Sequence, residues 1–191
     1  MESFTRVPMA NDIIPPTTTL PRMLEQTVAT HPARTALLYF GSRITYGQLL
    51  EQANCVAAGL QALGIEKGDR VVLMMPNCPQ FVIGYFGALR AGAIVTGTNA
   101  IYTPREVTHQ WNDAGAKLVI ADRRCFPVIK AAQPQLTTVR QVVLTGMRHV
   151  NRAGAGKTAR FALTTAPIRA ASSRKYKMGG PSASAAIRNI R

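Results

Sequence analysis

No aspartate or glutamate stands beyond Asp122 in this 191-residue chain. Up to that residue nine acids are offset by nine bases, and the fourteen bases beyond it carry the whole net charge of +14. A neutral stretch is therefore followed by a basic one. Cysteine is scarce too. Cys55, Cys78 and Cys125 are isolated, odd in number and without a CxxC pair, which excludes a disulfide framework, a zinc ribbon and a dithiol redox motif. They are expected to be reduced thiols of a cytoplasmic protein, buried rather than reactive. No apolar run reaches the ~18 residues of a membrane span, because Arg90 interrupts the longest one, Phe81 to Val95. Glu2 and Asp12, with only Arg6 between them, exclude a signal peptide or an Arg-rich transit sequence. No G-x-S-x-G elbow occurs, and His31, His109 and His149 have no ligand spacing.

What is present suits an ordinary globular domain, with 47% hydrophobic and 17% charged residues. A domain of this size buries roughly two-thirds of its unfolded surface. Residues 1–18 are polar and proline-bearing, and are expected to form a mobile or extended lead-in. Leu20 to Thr30 carries one apolar face, made by Leu20, Met23, Leu24, Thr27 and Val28. Thr35 to Phe40 and Arg43 to Thr45 read as a hairpin turned at Gly41-Ser42. Thr45 with Gln48 makes a capping box, Ile44 with Leu49 a staple. Leu49, Ala53, Val56, Ala57, Leu60 and Leu63 follow at helical period before Gly64.

A regular alternation begins at Arg70. Arg70 to Met74 reads as a strand, and Asn77 is expected to cap a helix reaching Ala91. Ala93 to Thr96 reads as the next strand. Thr103, Pro104 and Glu106 open a second capped helix, with Val107, Trp111 and Ala114 facing inward and Gly115 ending it. Lys117 to Ala121 is a strand, Arg123 to Ala132 a weaker helix, and Gln141 to Leu144 a fourth strand. Near-continuous apolar strands alternating with helices predict an α/β fold, a doubly wound, mostly parallel sheet covered on both faces.

At Gly146 the alternation stops. Of the last 45 residues, 27 are Ala, Gly, Ser, Pro or Arg, and none is acidic. Residues 147–191 are expected to be a disordered basic tail. An abrupt acid-free Ala/Arg/Gly/Ser composition is what out-of-frame translation of GC-rich coding sequence gives. The other reading is a selected basic arm that binds nucleic acid or anionic surfaces by charge, but aromatic interleaving is limited to Phe161 and Tyr176. Gly154-Ala155-Gly156-Lys157-Thr158 ends like a phosphate-binding loop. Asn151 stands where the motif needs its first Gly, and no apolar strand immediately precedes it.

The segments ITYGQLL (Ile44 to Leu50), GDRVVLMMPNCPQFVIGYFGALRAGA (Gly68 to Ala93) and NAIYTPREV (Asn99 to Val107) carry a resemblance. Over Leu20 to Gly146 the chain resembles the N-terminal part of acyl-CoA synthetases, in the adenylate-forming ligase superfamily. Gln48 stands where Glu is usual there, and Gly97 and Ala100 depart from the common pattern. The resemblance implies a partial ligase domain over 19–146. It also implies a two-step reaction: ATP and a fatty or other carboxylic acid give an acyl-adenylate, and coenzyme A then takes the acyl group. In the family, ATP, Mg²⁺ and CoA are served by a T-S-G-T-T-G-x-P-K-G loop, an aromatic-Gly-x-T-E segment, a hinge acid and a C-terminal Lys. None of these occurs in the 191 residues, so no catalytic, cofactor-binding or metal-binding residue is assigned. The chain alone is expected to be inactive, with no specific nucleic-acid partner.

Overall fold

The computed structural model describes residues 17–145 and the backbone of 163–167. Most of the lead-in, His149, Gly154 to Thr158 and most of the basic tail lie outside the described residues. The elements are α1 Leu20–Thr30, β1 Thr35–Tyr39, β2 Ser42–Thr45, α2 Tyr46–Ala62, β3 Arg70–Met74, α3 Pro79–Arg90 and β4 Ile94–Thr98. They continue with α4 Pro104–Asp113, β5 Ala116–Asp122, a 3₁₀ turn Arg123–Cys125, α5 Phe126–Ala132, a second 3₁₀ turn Gln133–Gln135, β6 Gln141–Thr145 and β7 Leu163–Pro167.

Both capping boxes form. The Gln48 amide donates to Thr45 Oγ1 at 3.2 Å, and the Thr45 amide donates back to Gln48 Oε1 at 3.0 Å. Thr103 and Glu106 repeat the exchange at the head of α4. Two orphan amides are satisfied at each helix start, which fixes where the helix begins. The cap expected for α3 differs. Pro79, with φ fixed near the helical value and no amide to donate, takes the first helical position. The cap therefore falls on Cys78, one residue after Asn77, and makes no side-chain bond.

β1 and β2 form an antiparallel hairpin; the larger sheet has the order β4-β3-β5-β6-β7. The pairs among β3, β4, β5 and β6 are parallel, in the registers Val72↔Thr96, Val72↔Val119 and Val119↔Val142. Alternate side chains of each strand enter two cores. Val71, Leu73, Leu118, Ile120 and Val143 join Leu49, Val56, Leu60 and Ile83 of α2 and α3 on one face. Val72, Met74, Val119, Ala121 and Val142 join Val107, Trp111 and Ile129 of α4 and α5 on the other. That double burial is why these strands read as continuous apolar runs.

Two features depart from the expectation. β7, within the stretch expected to lack order, pairs antiparallel with β6 as Val143↔Thr165. The α1 stripe is only partly covered: Leu24 is buried, while Leu20 and Met23 are exposed.

α2 and α3 approach so closely that Gly87 has no room for a side chain. A Cβ there would stand 2.5 Å from Val56 Cγ1 and 3.1 Å from the Ala53 carbonyl oxygen. Val56 is fully buried and cannot swing away. Gly87→Val is expected to force the helices apart and lower stability by about 1–3 kcal/mol, the usual range for overpacking. Urea titration followed by circular dichroism measures this, and an unchanged midpoint would contradict the packing.

Candidate functional site at the carboxyl edge of the sheet

In an open α/β sheet, ligands bind beyond the carboxyl ends of the strands, where consecutive connections leave for opposite faces. Here that point lies between β3 and β5. The chain leaves β3 for α3 on one face and leaves β5 for α5 on the other. Met75 to Cys78 follow β3, and Asp122 to Cys125 end and follow β5.

Asp122 is the most buried carboxylate of the described residues, at 3% exposure. Its Oδ1 accepts from the Arg124 amide at 2.8 Å and from Arg124 Nε at 2.8 Å, and its Oδ2 from Arg124 Nη2 at 3.2 Å. The 3₁₀ turn makes this i to i+2 embrace possible. Burial alone would raise the Asp122 carboxyl, but the Arg124 bonds outweigh it and hold the group below its ordinary value of 3.8. The same bonds raise Arg124. A carboxyl depressed by folding stabilises the fold above its unfolded value and loses that contribution as pH falls through the folded one. Acidification below about pH 4 is therefore expected to lower the urea midpoint. Asp122→Asn is expected to flatten that decline, and an equally steep decline in the variant would contradict the assignment.

The two thiols beside this pair, Cys78 and Cys125, are buried. Burial pushes Cys78 up, against the pull of the Phe81 and Gln80 amides at the start of α3. Burial likewise raises Cys125, whose Sγ lies 3.8 Å from the Ala100 carbonyl. Both shifts disfavour the thiolate, which is the reactive form. Cys55, expected to be buried, is exposed. It sits on α2 off the stripe that runs through Leu49, Ala53, Val56 and Leu60.

On the β4 side, three side chains form a chain of hydrogen bonds. Trp111 Nε1 donates to Thr98 Oγ1 at 2.9 Å, Thr98 Oγ1 donates to Gln110 Oε1 at 2.7 Å, and Gln110 Nε2 donates to the Gly97 carbonyl at 3.2 Å. The Asn99 side chain closes the next turn by accepting from the Ile101 amide at 3.2 Å. The loop from Asn99 to Thr103 is thereby tied to the end of β4. Gln80 Oε1 and Thr145 Oγ1 are buried at this same edge without a hydrogen-bond partner among the described residues. Thr145 is the register partner of Asp122.

His31 caps the end of α1 and is exposed, and His109 is exposed on α4. Neither joins the cluster. Sequence reasoning missed Asp122, Arg124, Thr98, Gln110, Gln80 and Thr145; the one available signal was Asp122 as the last acid, closing an apolar strand. The described residues do not fit Mg²⁺. Asp122 is already engaged by Arg124, and no three His, Cys, Asp or Glu side chains converge among them.

A family model described as AMP-binding enzyme matches residues 24–173, a range that includes β7. The long-chain-fatty-acid–CoA ligase of Bacillus subtilis (strain 168) is 40% identical over 134 residues, which cover 70% of this chain and 24% of that protein. The chain thus spans about a quarter of the length of the curated relatives it matches. Among solved structures, a putative long-chain-fatty-acid CoA ligase from Rhodopseudomonas palustris CGA009 superposes with a TM-score of 0.63 at 25% identity, covering 74% of this chain and 34% of that one. The anthranilate CoA ligase AuaEII, in complex with anthranoyl-AMP, gives 0.63 at 27% identity, covering 65% and 24%. Matched by the family model over most of its length and superposing through its parallel sheet on solved ligases, the chain belongs to the AMP-binding enzyme family and resembles the N-terminal region of the acyl-CoA ligases.

Proposed function

We propose that these residues are the N-terminal part of a fatty-acid–CoA ligase, and that taken alone they do not carry out ligation. The carrying observation is the 40% identity to a protein named for long-chain fatty acids, held over the α/β region. In this reading the whole protein activates a fatty acid with ATP and passes the acyl group to coenzyme A in the cytoplasm. The chain supplies scaffold: a rigid sheet edge on which further family sequence completes the site. Buried Gln80 Oε1 and Thr145 Oγ1 support this, because a buried polar atom without a partner costs about 1–3 kcal/mol and calls for a donor from elsewhere.

The origin of residues 147–191 is part of the same proposal. The complete loss of acids after Asp122 supports an out-of-frame segment, while β7 and the family match reaching residue 173 weigh against the whole of it being so. The coding DNA tests the reading. A one-base shift downstream of codon 146 is expected to open a frame encoding a T-S-G-T-T-G-x-P-K-G loop, and the absence of that loop from every frame would contradict it. The competing reading is a basic α/β protein that binds nucleic acid or anionic surfaces through its tail, residues 147–191, which hold no acid. A salt-dependent mobility shift with duplex DNA would favour it.

A further inference from the structure

We draw no further inference here: the strongest candidate, the cavity at the amino edge of the sheet where Glu66, Lys117, Arg140 and Gln141 meet and the buried Gln141 Oε1 has no partner among the described residues, carries nothing, because β7 ends beside Gln141 and nothing in the structure shows what covers the cavity.

Discussion

Trp111→Ala is expected to lower stability by about 3–5 kcal/mol, the range for removing a large aromatic from a packed core. Trp111 is the largest of the fully buried side chains. It fills the layer between α4 and the sheet beside Val72, Met74 and Val119. Its indole nitrogen also donates to Thr98, so the substitution removes a hydrogen bond and opens a cavity at once. Because Thr98 still donates to Gln110, no buried hydroxyl is orphaned and the loss should stay within that range. Urea titration by circular dichroism measures it, and a cost below about 1 kcal/mol would mean that α4 is not seated as described. In the unsubstituted chain the one tryptophan should emit at short wavelength and resist aqueous quenchers. Emission like that of free tryptophan would contradict the same packing.

How legible the fold was depends on which forces set each element. α2 and α4 were readable because their boundaries are local: Thr45 with Gln48, and Thr103 with Glu106, satisfy amides a few residues away. β3, β5 and β6 were readable because burial on both faces removes polar residues from the whole strand. β7 was not. Leu163 to Pro167 has neither alternation nor a long apolar run, and pairing with β6 rather than its own composition makes it a strand. The α3 cap shifted by one residue because Asn77 has the better side chain, but Pro79 fixes the register.

The site was less legible than the fold. Asp122 and Arg124 are only two residues apart, a separation that says nothing of whether their side chains meet. Only the 3₁₀ turn after β5 brings the guanidinium back onto the carboxylate. Thr98 and Gln110 lie twelve residues apart and meet because α4 folds back over the end of β4. Gln80 and Thr145 carry no sequence signal, since being buried without a partner is a property of the assembled edge.

The other large expected effect concerns activity. Acyl-adenylate formation draws its rate from donors fixed around the phosphates and the developing charge, and one such donor is typically worth about a hundredfold to a thousandfold. Arg124, beside the carboxyl edge of the sheet, is already engaged by Asp122, and Lys117, at the opposite edge, by Asp69. The family's phosphate loop and its acidic and lysine partners are missing from the 191 residues as a set. ATP–pyrophosphate exchange with Mg²⁺ and a long-chain fatty acid therefore tests the central claim, that this chain is ligase scaffold without ligase chemistry. The purified 191-residue chain is predicted to give no fatty-acid-dependent exchange; exchange that rises with fatty-acid concentration would contradict the account.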